Sequence, residues 1–195
     1  MDNIRILIPA HEVDEKIRGM AEKISNDYKG REIHMVCVLK GSAFFAMQLA
    51  REIDHDVPVT FDFMSVSSYG NNTVSSGVVK INKDLDDPIE GKDVLIVEDI
   101  IDTGYTLAYL LPLLEAREPA SMKLCALIDK PSRRRTKTVP DYRGFEIEDL
   151  FVVGCGMDYC QKYRNLPFVG VLEKDPGDDA DKKTPARKKI KRCPD

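Results

Sequence analysis

Apolar residues fall into two kinds of run along this chain, short compact blocks and longer stretches spaced three or four apart. Residues 4–8 form a first short block and predict a strand. Val13, Ile17, Met20, Ala21, Ile24 and Tyr28 then recur at the spacing of one helical face, ending near Gly30. Residues 33–39 are mostly apolar and β-branched, residues 43–53 read as a helix, and residues 59–66 alternate with Phe61 and Phe63 on one face. The stretch 67–77, SSYGNNTVSSG, has little to bury and predicts an exposed, mobile loop before a strand at 78–81. Residues 93–97 form a continuous apolar run, the pattern of a strand covered on both faces. A helix over 103–117 follows, with Pro112 inside it to kink it or delay its start. Strands at 122–128, 147–153 and 168–172 complete the pattern. The alternation predicts an α/β fold with a doubly wound, mostly parallel sheet, whose ligands bind at the carboxyl ends of the strands.

Length and composition narrow this picture. A chain of 195 residues makes one domain with room for a small accessory lobe. Such a domain hides roughly 70% of its unfolded surface without needing disulfide or metal staples. No apolar run is long enough for a bilayer, and residues 4–8 are too short and too charged at their flanks for a secretory leader. The expected location is the cytoplasm, with no membrane partner. Cys37, Cys125, Cys155, Cys160 and Cys193 are scattered, and Cys155 and Cys160 are too far apart for a zinc knuckle and have no histidine near them, so all five read as structural thiols rather than metal ligands. A net charge of −4 argues against nucleic acid as a partner. After Glu173 the chain turns acidic and then basic with almost nothing to bury, which predicts a solvated, disordered tail over 175–195 beyond a domain of residues 1–174.

The chemistry concentrates in residues 94–106, VLIVEDIIDTGYT. A buried strand ends in two carboxylates, Glu98 and Asp99, and Asp102-Thr103-Gly104-Tyr105-Thr106 turns into a helix. Gly104 permits close backbone approach, Thr103 and Thr106 offer hydroxyls, and free N–H groups at the helix start make an anion cradle. Acids beside a phosphate cradle conflict unless the ligand also carries hydroxyls and a divalent cation, as a ribose phosphate with Mg²⁺ does.

This segment resembles the phosphoribosyl-pyrophosphate signature of type I phosphoribosyltransferases, and most closely their hypoxanthine-guanine branch. The resemblance runs over roughly residues 2–174. It implies a small hood, formed by N- and C-terminal segments, over the doubly wound core. It also implies transfer of a phosphoribosyl group to a 6-oxopurine, in purine salvage, and assembly as a dimer or tetramer. Lys40 and Gly41 match the pyrophosphate-binding loop, where the Leu39–Lys40 peptide is expected to be cis. Ser68 and Tyr69 match a lid that closes on pyrophosphate, and closure would keep water from the reacting C1′. Lys130 matches the lysine that donates to the purine 6-oxo group; a cation there disfavours the amine of adenine. Phe151 would cover the ring, and the Val152 backbone would pair with the base edge. Asp158 matches a Mg²⁺ position, beside Glu98 and Asp99, and Arg164 matches a pyrophosphate contact. Asp102 is the candidate general base near purine N7.

Tyr105 departs from the pattern, since many relatives carry lysine there. Arg133-Arg134-Arg135 stays outside the site, as do His11, His34 and His55. Two alternatives remain open. The acceptor could be xanthine or a pyrimidine, or the chain could be a regulator that senses phosphoribosyl pyrophosphate and binds RNA or DNA. A regulator would show a broad basic face and would have lost the catalytic acids, yet Glu98, Asp99 and Asp102 are all present.

Overall fold

The computed structural model describes residues 3–68 and 79–173. Nine strands and three helices follow one another as β1 (Asn3–Ile8), α1 (Ala10–Asp27), β2 (Ile33–Leu39), α2 (Ser42–Glu52), β3 (Val59–Ser68), β4 (Val79–Lys83), β5 (Asp93–Ile101), α3 (Tyr105–Glu115), β6 (Ser121–Asp129), β7 (Tyr142–Glu146), β8 (Val152–Val153) and β9 (Val169–Glu173). The main sheet has the order β4-β3-β2-β5-β6-β7. All its neighbours are parallel except β4, which runs against β3 along one edge.

Side-chain alternation explains why the central strands carry unbroken apolar runs. Met35 and Cys37 of β2, Leu95 and Val97 of β5, and Cys125 and Leu127 of β6 face one core, filled by Ile17, Met20 and Ile24 of α1 and Phe45 and Leu49 of α2. Val36 and Val38, Val94 and Ile96, and Leu124 and Ala126 face the other, under Leu107, Leu110 and Leu114 of α3. Both faces are therefore dry, and a polar residue at either parity would be buried. The expected doubly wound architecture is what these strands form.

A second, antiparallel sheet of order β1-β9-β8 joins the two ends of the described chain, with Asn3 opposite Glu173 and Val152 opposite Val171. This is the small hood expected from N- and C-terminal segments.

Several boundaries differ from expectation. The strand expected at 147–153 survives only as β8, because Ile147 N–H bonds to Asp129 O and Leu150 N–H folds back onto Glu148 O. The edge strand β7 was not anticipated. Its charges hid it, since Arg143 pairs with Glu146 at 2.8 Å, and charge on an edge discourages further pairing. Strand β5 continues to Ile101, and α3 begins at Tyr105 rather than Thr103, since Thr103 and Gly104 make the turn. Pro112 lies inside α3 without delaying that start. Ser67 and Ser68, expected in the loop, extend β3, while residues 69–78 and the tail 174–195 lie outside the described residues. Cys37, Cys125 and Cys155 are free, as expected, but Cys160 is disulfide-bonded. No described helix is long and apolar enough to cross a membrane.

Candidate active site

The carboxyl ends of β2 and β5 and the start of α3 enclose a cleft of about 260 Å³. Lys40, Gly41, Glu98, Asp99, Asp102, Thr103, Gly104 and Thr106 all line it. Tyr105 does not, and its side chain is exposed. The parallel register of β2 and β5 brings two segments far apart in sequence to one sheet end.

Glu98 closes the apolar run of β5 and is 8% exposed. Burial pushes its carboxyl well above the ordinary range, and the adjacent Asp99 adds to the rise. Asp99 is pushed up to about 6, first by burial, against the opposing pull of backbone N–H groups and of Arg164. Its Oδ1 accepts the Ile100 N–H at 3.0 Å. Among the described residues neither acid has an ion-pair partner within 4.0 Å, and both line the cleft. Gly41 and Gly156 lie back to back against this pair. A methyl group on Gly41 would collide with Asp99 Oδ2, and one on Gly156, whose φ is 99°, would collide with Gly41 O. The Leu39–Lys40 peptide is cis, and Lys40 is exposed.

Gly104 caps α3 with a φ of 82°, which turns the chain so that Ala108 N–H is the first to bond back, to Gly104 O at 2.9 Å. Earlier N–H groups of the turn stay free for an anion. Two arginines outside the expected site hold this turn. Arg134 reaches Asp102 O at 3.1 Å and Ile101 O at 3.4 Å, and it pairs with the buried Asp129. Arg133 clasps the Asp102 carboxylate with Nε at 2.9 Å and Nη2 at 3.3 Å. Arg135 N–H adds a bond to Thr103 O at 2.9 Å. Three consecutive arginines, Arg133 to Arg135, about thirty residues after the acids at 98–102, were the available signal. Charge complementarity could have tied the two segments together.

Lys130 follows β6 and is buried. Its Nζ donates to Leu150 O at 2.6 Å, and its N–H donates to Ile101 O at 3.0 Å. Burial lowers its ammonium below the usual range, while Asp102 and Asp149 pull it back up. Phe151 is partly exposed and meets Tyr159 edge-on at 5.8 Å, and Val152 is buried in β8. Asp158 and Arg164 form an ion pair at 2.7 Å, and Arg164 Nη1 donates to Gly156 O at 2.7 Å. That link hangs both residues on the Gly41–Asp99 side of the cleft. Ser68 ends β3, and Tyr69 lies outside the described residues.

The described residues contain no ready-made group of three or more metal-ligating side chains. Glu98, Asp99 and Asp158 are therefore not assembled as one cage, and Asp158 is engaged by Arg164. The adjacent carboxyls of buried Glu98 and half-buried Asp99 nonetheless fit a hard divalent cation. Mg²⁺ commonly uses one or two carboxylates and completes its shell with substrate oxygens and water.

Comparison with known proteins gives a consistent picture. A model of the phosphoribosyl transferase domain matches residues 8–160. The bifunctional protein TilS/HprT of Listeria monocytogenes is 48% identical over 169 residues; the match covers 87% of this chain but 26% of that protein. The hypoxanthine-guanine phosphoribosyltransferase of Bacillus subtilis is 47% identical, over 87% of this chain and 93% of its own. A crystal structure of a hypoxanthine phosphoribosyltransferase from Staphylococcus aureus superposes with a TM-score of 0.83 at 42% identity, covering 87% of this chain and 91% of that one.

Proposed function

The chain belongs to the phosphoribosyl transferase family, and on that premise we propose that it is a hypoxanthine-guanine phosphoribosyltransferase of purine salvage. It moves the 5-phosphoribosyl group of phosphoribosyl pyrophosphate to N9 of hypoxanthine or guanine, releasing pyrophosphate and forming IMP or GMP. The observation that carries the reading is the adjacent Glu98 and Asp99 carboxyls lining one cleft with Thr103, Gly104 and Thr106, with Lys130 directly after the next strand.

In this reading the N–H groups and hydroxyls of the 103–106 turn hold the 5′-phosphate. Glu98 and Asp99 hold the ribose hydroxyls and would hold Mg²⁺, with Asp158 nearby. When bound there, the ion would supply positive charge toward the pyrophosphate. Lys40, the Gly41 N–H and Arg164 neutralise the same charge as the C1′–O bond breaks, which is electrostatic stabilisation of a leaving group. Ser68 and Tyr69 donate to the pyrophosphate on lid closure and keep water out. Lys130 turns from Leu150 O to the purine 6-oxo group, Phe151 covers the ring, and the Val152 backbone pairs with the base edge. As N9 bonds to C1′, Asp102 accepts the N7 proton, and its charge also suits a cationic ribosyl centre. Tyr105 lies beside the phosphate through its backbone.

A cytoplasmic location and a dimer or tetramer belong to the same reading. The exposed Phe44 and Met47 on α2 and Phe61 on β3 are apolar surface for such a contact.

The test is a spectrophotometric assay with Mg²⁺ and phosphoribosyl pyrophosphate, offering hypoxanthine, guanine, xanthine, adenine and uracil in parallel. Nucleotide from hypoxanthine or guanine, and none from adenine or uracil, is the expected result. Silence on all five with the ribose donor still bound would replace the enzyme by a regulator. Within the site, Asp102→Asn is expected to lose on the order of a hundredfold or more in kcat while still binding phosphoribosyl pyrophosphate. Near-normal turnover in that variant would remove Asp102 as the base.

A further inference from the structure

Arg133 occupies a position that the reaction as described leaves without a task. It ends a single 3-10 turn, Pro131–Arg133, directly after Lys130, and its N–H donates to Lys130 O at 3.0 Å. Its guanidinium grips Asp102 with two bonds, Nε to Oδ1 at 2.9 Å and Nη2 to Oδ2 at 3.3 Å. The third arm, Nη1, reaches Asp149 Oδ2 at 3.3 Å. Asp149 precedes Leu150, which accepts from Lys130 Nζ, and Phe151, the proposed ring cover. One short turn thus reaches both walls of the base pocket, Lys130 and Arg133 to the 149–151 wall and Arg133 alone to Asp102.

This arrangement adds little to folding. The Arg133 and Asp102 side chains are 43% and 41% exposed, and ion pairs so placed contribute little to stability. The geometry does something else. A carboxylate turns freely about its last torsion, and a planar fork bonded to both oxygens fixes its plane. The fork uses two of about four lone-pair directions and leaves the others to accept a proton.

We propose that Arg133 is a positioning residue, which presents the Asp102 carboxylate to the purine and, through Asp149, sets the spacing of the base pocket. The inference rests on Asp102 acting as the base.

Steady-state kinetics and melting curves of Arg133→Met, Arg133→Gln, Arg133→Lys, Asp102→Asn and the Arg133→Met/Asp102→Asn double variant test it. Arg133→Met is expected to lose about tenfold in kcat, as a small misplacement of a reacting group does, with the phosphoribosyl pyrophosphate KM moving less than about twofold. Its Tm should stay within about 2 °C of the parent, and Arg133→Gln should behave alike even if the Met variant folds poorly. Arg133→Lys keeps the charge and loses the fork, so it should stay near the Met variant. In the Asp102→Asn background the Met substitution should cost less than about twofold, because residues that act through one another are non-additive. Full turnover in Arg133→Met, full rescue by lysine, or a loss that adds to that of Asp102→Asn would overturn the proposal. Normal turnover in Asp102→Asn alone would instead remove the base assignment, and the role of Arg133 with it.

Discussion

At Gly41 the fold leaves no room for one methyl group. The space is taken by Asp99, with Gly156 O 3.1 Å from where a Cβ would sit. Gly41→Ala must therefore move a cleft carboxylate, and we expect the KM for phosphoribosyl pyrophosphate to rise about tenfold or more with the circular dichroism spectrum unchanged. An unaltered KM would mean that Asp99 does not touch the donor. Asp99 has a pH signature as well. Burial raises its carboxyl from 3.8 to about 6, so the ligand-free fold favours the protonated form. That contribution is complete below about pH 4 and is lost as pH climbs through about 6. Its full size is about 3 kcal/mol by proton linkage. Melting curves of the ligand-free parent and Asp99→Asn should diverge over that window, the parent falling behind as pH rises. A constant offset between pH 4 and 7 would show that Asp99 is not burdened by its charge. Glu98, Asp99 and Asp102 were legible as candidates in the sequence because they end a recognisable strand or open a turn, whereas Lys130 was singled out by the family resemblance. Gly156 and Arg134 were not, because Gly41 in the one case and the Ile101 and Asp102 carbonyls in the other are brought to them by packing rather than by spacing.

The buried strands β2, β5 and β6 were legible as continuous apolar runs because the sheet has a core on each face. Met35 and Cys37 serve one core, and Val36 and Val38 the other. The amphipathic helix α1 was equally clear, since Val13, Ile17, Met20, Ala21 and Ile24 are the residues it buries. β7 escaped notice for a physical reason. Its middle residue, Gly144, backs onto the Leu127 carbonyl where no side chain fits, so its alternation is broken where the packing is tightest. Helix α3 carries a cost within itself, since Pro112 has no N–H to offer Ala108 O, yet the exposed position tolerates its ring. Pro112→Ala is expected to raise stability by about 1–3 kcal/mol, or a few degrees in Tm, without changing kcat. A lower Tm would mean that the proline's restraint on the unfolded chain outweighs the missing bond.

Across the whole molecule the cleft proposed for the donor and the wall proposed for the base rest on different sheets. The cleft is lined by residues 38–107 of the main sheet and its turns, whereas Val152 and Val153 are held by pairing with Val171 and Gly170 of β9. A chain cut after residue 174 should keep its transferase activity. One cut after residue 168 should lose base binding first, which isothermal titration with a nucleotide product and with phosphoribosyl pyrophosphate would separate. Equal loss of both ligands would mean that the two sheets do not act independently. The hood also sets an order of events during synthesis. β1 precedes its partner β9 by some 160 residues, so Asn3 meets Glu173 only after every strand of the main sheet has been made. A growing chain can therefore complete the main-sheet cleft proposed for the ribose phosphate while the hood strands beside the proposed purine seat are still unpaired. On the proposed reading, such a chain would grip the donor before any acceptor could reach it.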